Sequence, residues 1–488
     1  MLIETHKLDT NSGSEQVYNG MDCCMTYEVF TELMRELSTA QPAYNFELAL
    51  QAPVIEMTLR GMAVNPGARE LGINRCKTQI DRLHYVLKQL TEAVLQKPYN
   101  LKLPNSTTQL KTLFYDYLKI EPVKMFVKGE LKFPMDNKVI SQIENYFQAR
   151  PIAAAVLTIR EIEKQLQVLN TEVDPDWRMR TSYNIGGTKS ARFSSSKSTT
   201  GSGTNLQNIS EDLRHIFEAD PGYIMCGMDA EQSDSRMVGY MCGLLFDDWT
   251  YLDACESSDL HTSVCRLVWT NELPWTGDLA KDRKIAERPF FRHHKYRDAA
   301  KRLGHGRSFL GKPPTLAKET NIPQKLVESF CEKFDEAFPA ISRWQAWTAA
   351  QLQQHKYLVS IHGRRRDFFD RVDAIETVRK GVAFLAAAAT ADNLNLGMWR
   401  IWKYMPEVQL LAQVHDAVYF QFPETCDRHD IIQRAKAHLR TELRAPNGRV
   451  FAVPTDCKLG YNWGNYIPAD PEHNIPEQNP KGLRKYKL

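Results

Sequence analysis

The stretch Tyr223-Ile-Met-Cys-Gly-Met-Asp-Ala-Glu-Gln is an apolar run that stops at an acidic residue, Asp229. A second run, Gln409-Leu-Leu-Ala-Gln-Val-His-Asp-Ala-Val-Tyr-Phe, is interrupted at Asp416 and then resumes, a pattern typical of a β-hairpin with the aspartate at its tip. If the two segments form neighbouring strands, their carboxylates can hold two divalent cations roughly 4 Å apart, the geometry of in-line phosphoryl transfer. Taken singly, each aspartate is more simply explained as a turn residue.

A basic helix is predicted between the two aspartates. Arg297, Lys301 and His305 recur at i, i+4 and i+8, so they share one helical face. A cationic face opposite a metal pair suits a triphosphate, and Lys301 could also donate a proton to the leaving pyrophosphate. Gly304 and Gly306 cost about 1 kcal/mol each relative to Ala in a helix, which indicates that something such as a base pair approaches the backbone. The plain alternative is a surface helix with a frayed end.

Size and composition set the class of protein. The 488 residues, 43% of them hydrophobic, predict two to four folded domains or subdomains. The net charge of +3 is nearly neutral, but basic residues cluster from 281 to 302. Ten cysteines without CxxC pairs indicate reduced, mostly buried thiols in a cytoplasmic protein. No stretch has the length of a membrane span, so no membrane partner is expected.

Helical patterns cover residues 43–65, 67–97 and 151–170, and Ser106 is a candidate N-cap for a further helix. The section from Thr181 to Asn208 has no helical period and is rich in hydroxyl and amide side chains. Such a composition suits contacts to phosphates and the minor groove, and it equally fits a flexible loop.

These segments resemble the family A DNA polymerases, the group of bacterial DNA polymerase I and many phage replicases. Asp229-Ala-Glu-Gln-Ser-Asp-Ser-Arg resembles the first catalytic motif of the family, and Gln413-Val-His-Asp resembles the last. Arg297-x3-Lys301-x3-His305-Gly306 resembles its nucleotide-binding helix. Ala191-Arg-Phe-Ser-Ser and Asn205-Leu-Gln-Asn-Ile look like its primer-template loop. The likeness runs in order along nearly the whole chain.

The resemblance implies an α+β fold shaped as a right hand, with an antiparallel palm sheet and helical fingers and thumb. Residues 43–180 would form the thumb and the helices leading into it. The palm would comprise 181–260 and 361–488, and the fingers 261–360. Residues 1–42 would be a remnant resembling the end of a 3′–5′ exonuclease domain.

The activity that the resemblance implies is template-directed addition of dNTPs to a primer 3′-OH. Two Mg²⁺ ions, replaceable by Mn²⁺, would be held by Asp229, the carbonyl of Ala230, and Asp416, with Lys301 as a further catalytic residue. The incoming dNTP would contact Gln232, Asp234, Arg297, Lys301, His305 and Phe309. The primer-template duplex would contact Arg192, Asn205, Gln207, Asn208, Gly306, Arg379 and His415.

Several positions depart from the family pattern. Asp234 stands where the family usually has a glutamate that screens the sugar 2′ position, and Phe309 where it has a tyrosine. We expect discrimination against ribonucleotides to persist, because Phe309 can still stack under the sugar. His305 replaces an aromatic Phe or Tyr, and its imidazole serves either as a flat spacer or as a titratable charge. Ala417 stands where a glutamate often follows the last aspartate.

The amino-terminal segment Tyr18-x3-Asp22 followed by Thr26 resembles the last motif of the 3′–5′ exonuclease of the family. The earlier carboxylate motifs have no room before residue 18, and one tyrosine with one aspartate cannot hold two metals. We therefore expect no proofreading by this chain. A separate exonuclease polypeptide as partner is slightly favoured over a truncated or naturally non-proofreading enzyme.

Two other functions remain open from the sequence. A single-subunit RNA polymerase-like nucleotidyltransferase would share Asp229, Arg297, Lys301 and Asp416, but the segment Asn205-Leu-Gln-Asn-Ile favours DNA synthesis. A catalytically weak primer-template binding protein would not need both aspartates and Lys301. The favoured interpretation is a DNA polymerase of the cytoplasm, which would be the host cytoplasm if a bacteriophage encodes it.

Overall fold

The computed structural model describes residues 13–37, 40–96, 98, 104–127, 130–199, 201–257, 259–471 and 475–488. The amino-terminal part contains α1 (Ser14–Leu37), α2 (Gln41–Arg60), β1 (Met62–Val64), α3 (Pro66–Leu95), α4 (Thr107–Lys111), β2 (Met125–Val127), β3 (Glu130–Lys132), α5 (Asn137–Ile143) and α6 (Arg150–Leu169). Helices α3, α5 and α6 enclose a separate apolar core around Phe114, Ile140 and Val156.

The helices predicted in this part are confirmed, with local differences at their ends. The helix predicted over 43–65 ends at Arg60, because Gly61 has a φ of 60° and the chain then enters β1. Asn65 accepts a hydrogen bond from the Ala68 N–H and so caps α3. Ser106 likewise accepts from the Gln109 N–H, as its sequence position predicts.

The middle of the chain contains β4 (Arg178–Met179), β5 (Thr181–Asn184), β6 (Ser194–Lys197), β7 (Phe217–Glu218), β8 (Tyr223–Ala230), α7 (Ser233–Phe246), α8 (Thr250–Glu256), α9 (Leu260–Val268), α10 (Leu279–Ala286), β9 (Pro289–Phe291), β10 (His294–Lys295), α11 (Tyr296–Ser308), α12 (Pro313–Thr320), α13 (Gln324–Ala337) and α14 (Pro339–His355). The carboxy-terminal part contains β11 (Tyr357–Val359), β12 (Arg365–Asp367), α15 (Ile375–Tyr404), β13 (Gln409–Val414), β14 (Ala417–Pro423), α16 (Arg428–Leu439), β15 (Leu443–Arg444), β16 (Val450–Phe451), β17 (Thr455–Gly460) and β18 (Arg484–Lys485).

The largest sheet of the described residues has five strands in the order β13-β14-β8-β17-β18, all antiparallel to their neighbours. Side chains of β8 alternate between its faces. Cys226 and Met228 enter a core with α15 and α16, whereas Met225 enters a core on the opposite face. The predicted hairpin is therefore confirmed, and β8 lies at the centre of the sheet, buried on both sides.

A fourth core joins helices α7 to α15, with Trp344, Phe330 and Leu303 among its members. It includes α7 and α8, which lie in the segment predicted as palm, together with the helices predicted as fingers. The predicted limits of palm, fingers and thumb stay predictions. All ten cysteines are free and most are buried, as expected. Within the described ranges, no helix has both the length and the apolar character needed to cross a membrane.

Candidate active site

Asp229 and Asp416 meet at one end of the central sheet. Asp229 lies opposite Ala417 in the β8–β14 pair, and the Ala230 N–H donates to the Asp416 carbonyl oxygen at 3.0 Å. His415 makes the tight turn between β13 and β14 with a φ of 53°. Burial, and secondly the nearby Asp416 carboxylate, raise the pKa of Asp229 to about 6. Two carboxylates that repel each other in this way favour a cation between them.

The donor set fits a hard divalent ion. Across the described residues, no group of three or more His, Cys, Asp or Glu side chains forms a metal cluster. Mg²⁺, however, is commonly bound through one or two carboxylates together with substrate phosphates. Asp229, Asp416 and the backbone carbonyl of Ala230 offer oxygen ligands of this kind. The buried Gln232 Oε1 has no hydrogen-bond partner and lies in the same site, which leaves a polar atom for a ligand.

Both carboxylate oxygens of Asp416 are engaged by the protein. Arg192 Nη2 donates to Asp416 Oδ1 at 3.1 Å and to the two oxygens of Asp234 at 3.0 and 3.1 Å. Ser233 Oγ donates to Asp416 Oδ2 at 2.9 Å. Arg192 Nε is buried and has no partner. The guanidinium therefore binds an oxygen that a metal ion would otherwise bind, and it links the turn between β13 and β14 to the first turn of α7.

The basic face of α11 borders a cavity of about 290 Å³ next to these carboxylates. Lys301, Gly304 and His305 line it from α11, and Asp234 and Asp416 also line it. Gln232, Ser233 and Ser235 also belong to its lining. The cavity is large enough for a small anionic ligand, with an amine on one wall and carboxylates on the other.

Arg297, on the same face of α11, is held by a bidentate ion pair. Its Nε and Nη2 donate to the two oxygens of Asp259 at 2.9 and 3.1 Å. Asp259 also caps α9 by accepting from the His261 N–H. Arg297, the residue predicted to bind the triphosphate, is therefore already paired with Asp259. To bind a nucleotide, Arg297 must either leave Asp259 for the phosphate oxygens or bind both at once.

Comparisons with known proteins identify the family of the chain. The sequence profile of DNA polymerase family A matches residues 73–465, which is most of the chain. The chain belongs to DNA polymerase family A. DNA polymerase I of Chloroflexus aurantiacus is 26% identical over 485 residues, which cover 92% of this chain and 46% of that protein. Thermostable DNA polymerase I of Thermus aquaticus is 25% identical over 385 residues, covering 74% of this chain and 41% of its own length.

The chain thus spans less than half the length of these curated relatives. Among solved structures, the POL domain of Pol1 from M. smegmatis in complex with DNA primer-template and dNTP aligns with a TM-score of 0.67. The alignment covers 85% of this chain and 69% of that chain at 20% identity. At that identity the likeness establishes the fold alone, and the predicted α+β polymerase fold is confirmed.

The family A motifs are connected through a chain of amide hydrogen bonds. Asn205 bonds to Ser195, and Gln207 Nε2 donates to the carbonyl and side-chain oxygens of Gln413 at 3.2 and 3.1 Å. Gln413 Nε2 in turn donates to the His415 carbonyl at 2.8 Å. Asn208 is exposed beyond this chain of contacts. The predicted primer-template loop therefore packs directly on the strand that ends at the catalytic hairpin.

The two glycines of α11 have an internal explanation. A Cβ at Gly306 would lie 2.4 Å from Leu316 Cδ2, and a Cβ at Gly304 would lie 3.3 Å from Phe334 Cε2. Helices α12 and α13 of this chain thus make the close approach that the two glycines indicated. No base pair is needed to explain it. Their role in DNA contact stays a prediction. Arg379 Nη2 donates to the Leu310 carbonyl at 3.3 Å and so ties α15 to the end of α11.

The surroundings of His305 favour the neutral form of its ring, although part of the side chain remains exposed. Burial is the main cause that lowers its pKa, and Arg192 and Lys301 lower it further against the opposing effect of Asp234. Its ring lies 4.9 Å from that of Phe309, with 49° between the planes. The sequence allowed two roles for the His305 imidazole, a flat spacer or a titratable charge. These surroundings agree with the flat spacer.

Three lining residues were not singled out from the sequence. His261 lines the cavity from α9, and burial together with Arg297 lowers its pKa to about 4. Ser233 binds Asp416 as described above. Tyr251 is buried and also lines the cavity. The segment Asp259-Leu-His261 could have indicated His261, because an aspartate that caps a helix begins α9 next to the basic helix α11 and places a histidine in its first turn.

Proposed function

We propose that this chain is a template-directed DNA polymerase that adds dNTPs to a primer 3′-OH. The observation that supports the proposal most directly is the meeting of Asp229 on β8 with Asp416 in the adjoining β13–β14 turn, where Asp416 and Lys301 line the same cavity. Membership in DNA polymerase family A gives that arrangement its interpretation. The reaction would take place in the cytoplasm, which is the host cytoplasm if a bacteriophage encodes the chain.

Asp229, Asp416 and the Ala230 carbonyl would hold two Mg²⁺ ions. When bound, these ions would activate the primer hydroxyl and neutralise charge on the phosphates, and Mn²⁺ would serve as another hard, oxygen-seeking ion. Lys301 would bind the phosphates and donate a proton to the leaving pyrophosphate oxygen. Ser233 would keep the Asp416 carboxylate in one orientation through its 2.9 Å hydrogen bond.

The remaining groups would position the nucleotide and the duplex. Arg297 would bind the triphosphate, His305 would stack on the base as a neutral ring, and Phe309 would lie under the sugar. Asp234 and Gln232 would border the sugar and phosphates from α7. The duplex would contact Arg192, Asn205, Gln207, Asn208, Gly306, Arg379 and His415.

Primer extension tests the proposal. The purified chain should extend a primer by the one complementary dNTP that each template base specifies, in Mg²⁺ and not in EDTA. Asp229→Ala should abolish extension, whereas Asp430→Ala, which removes an exposed aspartate of α16, should leave it intact. Synthesis from ribonucleotides without a primer would support the RNA polymerase alternative instead, and primer-template binding without extension would support the weak binding protein.

We further propose that proofreading requires a separate 3′–5′ exonuclease polypeptide. Tyr18 and Asp22 lie one turn apart on α1 with exposed side chains. The same helix exposes apolar side chains, with Tyr27, Val29 and Leu33 at 70%, 58% and 60% exposure. An apolar surface of this kind suits contact with another polypeptide. Excision of a mismatched primer terminus should increase when the product of the neighbouring gene is added to the purified chain, and no increase would contradict the proposal.

A further inference from the structure

Arg283 lies on a second helix near the ion pair between Arg297 and Asp259, and the two residues that follow Asp259 line the cavity. It lies on α10, and its Nε is 3.8 Å from Asp259 Oδ2. The same carboxylate oxygen accepts the hydrogen bond of Arg297 Nε at 2.9 Å. Two arginines from different helices thus converge on one carboxylate beside the nucleotide cavity. Arg283 belongs to the basic run of residues 281–302, for which the sequence predicted no separate role of Arg283.

The helix that carries Arg283 is fixed by its neighbour. Asp282 is fully buried. It accepts hydrogen bonds from the Thr276 N–H at 2.7 Å and the Gly277 N–H at 3.2 Å, and it pairs with Arg266 Nε of α9 at 3.3 Å. A buried carboxylate held in this way orients the adjacent residue. Arg283 is therefore presented to Asp259 by a rigid support, while its own side chain is 61% exposed and free to turn.

The cations around Asp259 outnumber the acidic partners available to them. Arg283 and Arg297 share the single carboxylate of Asp259, and Lys301 lines the adjoining cavity. The nearby Glu287 is itself paired with Lys295 Nζ at 2.7 Å. Excess positive charge along a partly enclosed cavity attracts an anion. A guanidinium also matches phosphate oxygens with two parallel hydrogen bonds.

We propose that Arg283 is a second arginine for the polyphosphate tail of the incoming nucleotide. On nucleotide binding, Arg283 and Arg297 would turn from Asp259 to the terminal phosphates, and they would hold pyrophosphate in the same way during the reverse reaction. The proposal rests on the polymerase function proposed above. Before the nucleotide binds, the carboxylate of Asp259 would pair with both guanidiniums and keep them beside the cavity.

Steady-state kinetics of three variants test this role. Arg283→Ala removes the guanidinium, Arg283→Lys keeps the charge, and Lys284→Ala removes an exposed charge one residue along the same helix as the matched control. Arg283→Ala should raise the KM for dNTP about 10-fold and the KM for pyrophosphate in pyrophosphorolysis by a similar factor, with kcat within about 2-fold, since a lost charge-assisted hydrogen bond weakens binding by this order. Arg283→Lys should recover part of both KM values, and Lys284→Ala should match the parent.

Two results would overturn the proposal. Equal KM values for Arg283→Ala and Lys284→Ala, in a parent chain that extends primers, would show that Arg283 binds no phosphate of the substrate. A weaker affinity of Arg283→Ala for primer-template, measured by fluorescence anisotropy without dNTP and with an unchanged KM for dNTP, would assign Arg283 to DNA instead. Thermal melting of each variant separates these outcomes from loss of folding. Failure of the parent itself to extend primers would instead contradict the polymerase function.

Discussion

Arg192 Nη2 lies 3.1 Å from Asp416 Oδ1, so an arginine of the predicted primer-template loop binds a carboxylate of the predicted metal site. The same nitrogen binds Asp234, which places three functional positions in one network. A divalent ion at Asp416 must compete with this guanidinium, because both are cations that seek the same oxygen. Binding of primer-template, which offers Arg192 other acceptors, would therefore favour metal binding.

Removing Arg192 should strengthen metal binding in the absence of DNA. We expect Arg192→Ala to bind Mn²⁺ several-fold more tightly than the parent, as measured by electron paramagnetic resonance, because the competing cation is gone. Arg371→Ala is the matched control, since Arg371 forms an exposed local pair with Asp373. Equal Mn²⁺ affinity in Arg192→Ala and the parent would mean that the ion pair does not compete with the metal.

Loss of the Ser233 hydroxyl should affect the chemical step more than nucleotide binding. Ser233 is 3% exposed and its hydrogen bond orients Asp416. We expect Ser233→Ala to lower kcat by about 10-fold, equivalent to about 1.4 kcal/mol, with little change in the KM for dNTP. Ser210→Ala, which removes an exposed hydroxyl outside the site, should leave both constants unchanged. A raised KM with an unchanged kcat would place Ser233 in substrate binding instead.

The raised pKa of Asp229 makes stability depend on pH when metal is absent. Its pKa is about 6 in the folded protein and 3.8 ordinarily. Because Asp229 has a higher pKa in the folded protein than in the unfolded chain, protonation of Asp229 favours folding. This stabilisation is fully present below about pH 4 and is lost as the pH rises through about 6. Because the Asp229 side chain is exposed, solvent screening reduces this effect. In EDTA, we expect Asp229→Asn to be more stable than the parent by about 1 kcal/mol at pH 8 and nearly equal to it at pH 4.

Thermal unfolding of both proteins across this pH range gives the measurement. Adding Mg²⁺ at pH 8 should stabilise the parent and leave Asp229→Asn almost unchanged, because the ion binds the ionised carboxylate. A constant difference in stability between the two proteins from pH 4 to pH 8 would refute the titration of Asp229 in this range.

Alanine substitutions at the two glycines of α11 should change the free energy of unfolding by different amounts. Gly306→Ala should destabilise the protein by roughly 1–3 kcal/mol, because the added Cβ would meet Leu316 Cδ2 at 2.4 Å. Gly304→Ala has a contact of 3.3 Å to Phe334, and its gain of up to about 1 kcal/mol in helix propensity should offset much of that crowding. Urea unfolding compares them directly, and similar losses of stability in both would contradict the packing explanation.

Discrimination between sugars should persist despite the changed pocket. Phe309 packs beside His305 at the end of α11, and Asp234 remains at the cavity wall. We expect the parent to prefer each dNTP over the matching ribonucleotide, and Phe309→Ala to reduce this preference. Competitive single-nucleotide incorporation measures the ratio, and equal use of both sugars by the parent would show that the pocket no longer selects.

The central strand and hairpin were predictable because apolar runs ending at an acidic residue carry a local signal. The pairing of Arg192 with Asp416 was not, since 224 positions separate them and the loop has no periodicity. The contact of Leu316 with Gly306 could not be predicted either, because a helical glycine does not reveal whether DNA or a neighbouring helix approaches it. Arg283 lay inside an unremarkable basic run, and its approach to Asp259, 24 positions away, could not be predicted from local spacing.

The central claim is that Asp416 takes part in the chemistry and not in DNA binding. Single-turnover extension by Asp416→Ala in saturating Mg²⁺ and dNTP, with primer-template affinity measured on the same preparation, tests it most directly. We predict a loss of at least about 10³-fold in the extension rate with a DNA affinity within about 2-fold of the parent, the pattern expected when a metal ligand is removed. Extension at the rate of the parent would contradict the account.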